Sequence, residues 1–305
     1  MFFLGVDAGG TSTTFLLGDE HRELAQVQVG SLKRMRVGAE QAEQHLVQAL
    51  SELERLTGVQ GVQIARCCIG ASGDNVELVS NWLRDAFGRH TGGEISIVND
   101  TVIALDAAFP GMRGVIAIAG TGSNVAGRTA DGTLVNCGGW GPALASQGSG
   151  HWIGFFGLRR GFFARDQQRP TRLLDCALAH WNLDSINDLV AYANQQPQPD
   201  FSTLAPVFAE CASAGDQVAQ ELLRDAGREL ADVCALAIER VMRLEADPDS
   251  ALPPVATIGS VINSVAAERD AFCAALRVRF PQIEFAASPA TPAAGALWRA
   301  RNKTN

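Results

Sequence analysis

The chain has 305 residues, 47% of them hydrophobic, with 25 Lys and Arg against 33 Asp and Glu, a formal net charge of −8. This is the profile of a folded protein with a large core, long enough for two domains, and it excludes a disordered chain. The acidic balance, with no basic stripe, argues against nucleic acid as a partner. Met1 to Val6 is apolar for too short a run to be a signal peptide, and no segment reaches the roughly 18 apolar residues of a membrane span, so the expected location is the cytoplasm and no membrane partner is expected. Seven cysteines without a C-x-x-C spacing read as reduced, mostly buried thiols.

Taken in chain order, residues 2–6 and 13–17 form two short apolar runs separated by Asp7-Ala8-Gly9-Gly10-Thr11-Ser12, a turn too tight to hold a helix, so a β-hairpin is expected. A third strand is expected over 24–29. Ala42, Leu46, Ala49, Leu50, Leu53 and Leu56 recur at helical spacing and predict a helix over 39–56. Strand 66–69, helix 75–86, strand 95–98 and a helix from 102 follow. The pattern then nearly restarts. Strand 115–119, the turn Gly120-Thr121-Gly122-Ser123, strand 124–128, an Asp131-Gly132 turn and strand 134–136 repeat the glycine hairpin of the first half. Helices are expected over 152–163, 173–179, 186–193, 208–213 and 218–244, then a strand over 256–258, a helix over 266–279, a final strand over 283–286 and a closing helix over 293–301. Segments 195–200 and 247–254 read as loops. A repeated ββ(β)αβα unit implies two duplicated halves facing each other across a cleft, with the boundary near 113.

Five constellations carry chemistry. In Asp7-Ala8-Gly9-Gly10-Thr11-Ser12, the glycines let backbone N–H groups approach an oligophosphate, and a strand-end carboxylate can hold Mg²⁺. It is neither a Walker A loop nor a dinucleotide fingerprint. Gly120-Thr121-Gly122-Ser123 is a second turn of the same kind. Asn99-Asp100 ends a strand, where a carboxylate can accept the proton of an attacking hydroxyl, although a helix cap is the plainer role. The glycine-rich stretch from Cys137 through Trp140-Gly141 to Ser146-Gln147-Gly148-Ser149 can bring an aromatic and polar groups to a small ligand or can simply pack. Gly259-Ser260 lies at a strand-to-helix turn. His151 has no partner at metal-ligand spacing and reads as packed or helix-capping.

With these residues in this order, the chain resembles the N-acetylglucosamine kinase branch of the BadF/BadG/BcrA/BcrD ATPase family, within the actin, hexokinase and Hsp70-like superfamily. Further residues that carry the likeness are Trp152-Ile153-Gly154, Thr257 to Val261 and Pro292 to Ala296. The resemblance implies an α/β fold of two ribonuclease H-like, actin-like ATPase domains facing each other across a nucleotide cleft. The first would span 1–113, with a closing helix over 290–305 packed back on it, and the second 114–289, with a helical insertion. It implies ATP and Mg²⁺ as cofactors and transfer to an amino sugar, N-acetylglucosamine first, then glucosamine, another amino sugar or an anhydro sugar. Asp100 would be the general base. Asp7 would be the metal carboxylate, with Gly9, Gly10, Thr11, Ser12, Thr121, Gly122 and Ser123 on the phosphates and Gly259 and Ser260 at the adenosine. Asn99, Asp100, Gly120, Thr121, Trp140, Gly141, Ser146 and Gln147 would face the sugar. A homodimer through the second domain's helices is also implied.

Two places depart from the family pattern. Ser146 stands where an acid is usual, and Lys33-Arg34-Met35-Arg36 follows the third strand where the family offers Asn to the sugar. Three cations in four residues are either a solvated face or a feature for an anionic acceptor. Two other functions fit parts of the chain: an ATPase activator of a radical dehydratase with an iron–sulfur cluster, for which Cys137 and Cys176 are the candidate ligands, and a nucleotide sensor without turnover.

Overall fold

The computed structural model describes residues 1–72, 77–245, 251–286 and 291–303. The chain divides into two compact units, Met1–Met112 with Ala290–Asn305, and Arg113–Pro289.

The first unit begins with three antiparallel strands, β1 (Phe2–Ala8), β2 (Ser12–Gly18) and β3 (Glu23–Gly30). A one-turn helix α1 (Arg34–Val37) leads into α2 (Ala39–Thr57), and β4 (Ile64–Ala71), α3 (Glu77–Gly88), β5 (Glu94–Val98) and α4 (Asp100–Ala108) follow. The sheet order is β3-β2-β1-β4-β5, with β4 parallel to both β1 and β5. Alternation along β1 divides its side chains between two cores. Leu4, Val6 and Ala8 meet Leu46, Ala49 and Leu53 of α2 and Leu83 and Phe87 of α3, and Phe3 faces the opposite side. Helix α2 stops at Gly58, which takes a left-handed conformation (φ 73°) and donates its N–H to the Glu54 carbonyl.

In the second unit β6 (Gly114–Ala119), β7 (Ser123–Arg128) and β8 (Leu134–Cys137) again run antiparallel. Helices α5 (Gly150–Asp166), α6 (Leu173–Trp181), α7 (Ile186–Ala193), α8 (Leu204–Ser213) and α9 (Gln217–Glu245) come next, then β9 (Val255–Ile258), α10 (Ser260–Ser264) and α11 (Ala266–Arg279). The sheet order is β8-β7-β6-β9, with β9 parallel to β6. One face of this sheet packs on α9 and α11 through Val115, Ala117, Ile238, Val241 and Phe272, while α5 to α8 and the start of α9 build a separate helical core. The expected strand over 283–286 is not formed as one. Phe285 makes only an isolated bridge to Val255, because β9 is four residues long and Pro253 and Pro254, which carry no N–H, precede it.

Helix α12 (Pro292–Asn302) returns to the first unit and covers the Phe3 face of its sheet together with α4. Gly5 and Gly295 make this contact possible. A Cβ on Gly5 would stand 2.3 Å from the Leu297 nitrogen, and one on Gly295 would stand 1.9 Å from the Ile103 carbonyl oxygen. A buried ion pair, Arg299 to Asp106 at 2.7 Å, ties α12 to α4, and Asp106 also accepts the N–H of Gly111.

The expected elements otherwise agree with the observed ones to within a few residues. The expected helix over 75–86 is seen from Glu77, its first two residues lying outside the described set, as do residues 247–250 of the expected loop and residues 290, 304 and 305 of the closing segment. Two short helices, α1 and α10, stand where only loop or turn was expected. The seven cysteines are free, five of them buried. Among the described residues no helix is long and apolar enough to cross a membrane.

Candidate active site

In the first unit the carboxyl ends of the parallel strands β1, β4 and β5 share one edge of the sheet, the edge at which open α/β sheets take their ligands. Asp7 lies at the end of β1, and Asp100 opens α4 directly after β5. The cap of α4 is Asn99, whose Oδ1 accepts from the Thr101 N–H at 3.1 Å and from its hydroxyl at 2.7 Å. The sequence left Asp100 open to a capping role; the structure gives that role to its neighbour. Asp7 and Asp100 are near enough to repel. Burial first, and the Asp100 charge second, push the Asp7 carboxyl up from 3.8 to about 6, with Lys33 pulling the other way. A half-buried carboxylate whose proton affinity is raised, beside a second one, fits a divalent cation with oxygen ligands.

Between Asp7 and β2 the chain turns through Gly9, Gly10 and Thr11. At Gly9 a Cβ would collide with the Ser12 carbonyl at 2.6 Å, so the tightness of the turn requires glycine. Gly10 is different: the space above it is open except for Arg36 Nη1 at 3.8 Å and Lys33 Nζ at 4.0 Å from the position a Cβ would take. Lys33 Nζ also donates to the Ser72 hydroxyl at the end of β4. Ser12 accepts from Gln28 Nε2 at 3.1 Å, which fixes the hairpin beyond the turn. Thr11 is exposed.

In the second unit Gly120 to Ser123 forms the corresponding turn, closed by the Gly120 N–H to the Gly122 carbonyl. The first N–H groups of α5 bind this turn, Gly150 to the Gly120 carbonyl at 2.8 Å and His151 to the Thr121 carbonyl at 3.1 Å. Ser149 caps α5 through the Trp152 N–H. Ser146 is buried, donates to Ser149 Oγ at 2.8 Å and accepts the Ser123 N–H at 3.2 Å, so its hydroxyl locks the turn to the α5 cap. Gln147 lines a cavity of about 440 Å³ with Ser146, His151, Trp152, Gln198 and Glu229. Trp140 is 73% exposed, and Gly141 takes φ 89° in the loop before that cavity. His151 stacks on Phe155 and meets Phe201 edge-on, and its burial lowers its proton affinity, as expected for a packed histidine.

Gly259 has φ 118°, and a Cβ there would stand 2.3 Å from the Ala119 carbonyl oxygen, so glycine is required where β9 passes to α10. Ser260 lines a cavity of about 210 Å³ with Gly120, Thr121, Gly150 and Ser264. It shares Pro206, Ser264 and Val265 with a larger cavity of about 1010 Å³ reaching Arg224, Arg228 and Asp270. The sequence did not single out these last three, Arg224 and Arg228 on α9 and Asp270 on α11, since helical periodicity marks the buried face of each helix and not what its rim meets. The structure thus gathers Gly120, Thr121 and Ser260 around one cavity wall, and Ser146 and Gln147 around another. Cys137 belongs to the sheet core and Cys176 packs on the helical core, in different parts of the unit.

The sequence profile of the BadF/BadG/BcrA/BcrD ATPase family matches residues 4–298. The chain belongs to this family. Its relatives include an N-acetyl-D-glucosamine kinase of Dictyostelium discoideum, 29% identical with 98% of each chain covered, and an N-acetylmuramic acid/N-acetylglucosamine kinase of Clostridium acetobutylicum, 26% identical with 99% of each covered. Among solved structures, a candidate N-acetylglucosamine kinase from Chromobacterium violaceum superposes with a TM-score of 0.75 at 25% identity, covering 97% of both chains. The fold of this BadF-family chain is therefore that of the actin-like ATPases, with one mixed sheet in each unit.

Proposed function

We propose that the protein is an ATP-dependent kinase that phosphorylates a hydroxyl of an amino sugar, N-acetylglucosamine being the first candidate and glucosamine the second. The observation that carries this reading is the pair Asp7 and Asp100 on the carboxyl edge of one parallel set of strands, next to a glycine turn open above Gly10. Two carboxylates in one place suit two tasks: one that holds a cation and one that takes a proton. The whole-length relatives named as amino-sugar kinases support the choice of acceptor.

In this reading Asp100 accepts the proton of the acceptor hydroxyl as its oxygen bonds to the γ-phosphorus of ATP and the bond to the β-phosphate oxygen breaks, leaving ADP and a sugar phosphate. Most of the rate comes from alignment and charge neutralisation. Asp7 holds Mg²⁺, which when bound offsets the charge of the phosphates. The N–H groups and hydroxyls of Gly9 to Ser12 and of Thr121 to Ser123 bind phosphate oxygens. Ser260, which lines the smaller cavity, and Gly259 beside it receive the adenosine. Trp140, Gly141, Ser146, Gln147, Asn99 and Gly120 belong to the acceptor side, Ser146 by holding the turn and the α5 cap in place. A homodimer through the helices of the second unit is part of the same reading.

The test is ADP release with MgATP over a panel of N-acetylglucosamine, glucosamine, neutral hexoses, anhydro sugars and sugar acids, with the sugar phosphate identified by mass. Turnover with an amino sugar is expected. Absence of turnover across the panel would overturn the reading.

A further inference from the structure

Lys33, Arg34, Met35 and Arg36, separated from the end of β3 by Ser31 and Leu32, do not form one solvated face. Met35 is 93% exposed, and the Arg34 guanidinium lies 5.7 Å from the centre of the Trp82 ring. Lys33 and Arg36, three residues apart and so on the same side of the turn, both reach the space above Gly10. Lys33 is half-buried, and its ammonium is fixed by Ser72. Among the described residues neither Lys33 nor Arg36 forms an ion pair with a carboxylate, whereas most of the other close cation contacts involve Glu or Asp. Arg36 Nη1 at 3.8 Å and Lys33 Nζ at 4.0 Å from the position a Gly10 Cβ would take both border the space over this glycine, with the Asp7 carboxylate within electrostatic reach of Lys33. An oxyanion completes that space.

We propose that Lys33 and Arg36 form an oxyanion site above Gly10, which binds a phosphoryl or carboxylate group at the reacting centre. This rests on the kinase reading. The oxyanion has two possible sources, the terminal phosphoryl group of the nucleotide or an acid group on the acceptor, and kinetics separates them.

The experiment compares wild type with Lys33→Met, Arg36→Met, the double variant and Lys33→Arg. Steady-state kinetics are measured on N-acetylglucosamine, which is neutral, and on N-acetylmuramic acid, which carries a carboxylate; calorimetry measures binding of inorganic pyrophosphate without sugar. Thermal melts check that each variant is folded. Loss of one charge-assisted contact should lower kcat/KM by about tenfold or more, with Lys33→Arg recovering part of it. If the phosphoryl group is the ligand, kcat falls on both acceptors with acceptor KM unchanged, and pyrophosphate binds more weakly to the double variant. If the acceptor's acid group is the ligand, KM rises for N-acetylmuramic acid alone. If the double variant stays within twofold of wild type on both acceptors and binds pyrophosphate equally well, the proposal is overturned. A wild type that phosphorylates neither sugar leaves the kinase reading to the full acceptor panel, and pyrophosphate binding then decides the oxyanion site on its own.

Discussion

Asp7→Asn separates stability from function at one atom. A carboxyl raised from 3.8 to about 6 costs the folded state about 3 kcal/mol at neutral pH, since each tenfold change in proton affinity is worth about 1.36 kcal/mol. Part of the group meets solvent, so about 2 kcal/mol is the working figure. The sign follows from the direction of the shift. Below about pH 3.8 the carboxyl is neutral in both states and costs nothing. As pH rises from 3.8 to 6 the unfolded chain ionises while the folded one holds its proton, so folded stability falls, and above 6 the loss is constant. Asparagine has the same shape and no charge, so the variant should be more stable than wild type above pH 6 by about 2 kcal/mol, roughly 4–8 °C in Tm for a cooperative unit of this size. The advantage should fade between pH 6 and 4. Melting curves in EDTA across pH 4–8 measure it, and kinase turnover should be lost in the same variant. An Asp7→Asn protein that melts at or below the wild-type temperature at pH 7 in EDTA would refute the electrostatic reasoning.

The buried pair between Arg299 and Asp106 should make either partner hard to remove. Asp106→Ala is expected to cost about 3–5 kcal/mol in denaturant unfolding, and a loss below about 1 kcal/mol would show that the contact does not hold α12 to α4. Gly5→Ala and Gly295→Ala place a methyl group against backbone atoms and should each cost at least about 1–3 kcal/mol, read as a lower Tm, whereas Gly132→Ala, with open space around it, should show only the smaller strain of its φ of 92°. Glu268 is buried with neither carboxylate oxygen hydrogen-bonded, and burial raises it to about 8. Glu268→Gln should therefore gain on wild type as pH rises from 4.5 towards 8, and equal pH profiles of unfolding would contradict this.

Much of the fold was legible because its signals are local. The change from period-two runs to helical spacing around 29–39, and the two glycine hairpins at Gly9-Gly10 and Gly120-Gly122, depend only on neighbouring residues. The fit of α12 against Gly5 was not, because a glycine in a strand does not say which element approaches it 290 residues later. Ile283 to Ala286 has the pattern of a strand, but pairing needs a partner ladder, and β9 offers only Val255 beside two prolines. Asp100 and Asp7 could be picked out as strand-end carboxylates, while their mutual repulsion depends on β4 lying between β1 and β5. The same holds for Lys33 and Arg36. As sequence they are part of a charged loop, and only the one-turn helix α1 and the hydrogen bond to Ser72 turn them toward Gly10.

The most direct test is the rate of ADP release with MgATP and N-acetylglucosamine for wild type beside Asp100→Asn, both shown to be folded. With Asp100 as the proton acceptor, wild type turns over and the amide variant loses a factor of about 10² or more in kcat with little change in acceptor KM. An Asp100→Asn enzyme that phosphorylates the sugar at the wild-type rate would contradict the assignment of the base and, with it, the mechanism proposed for this site.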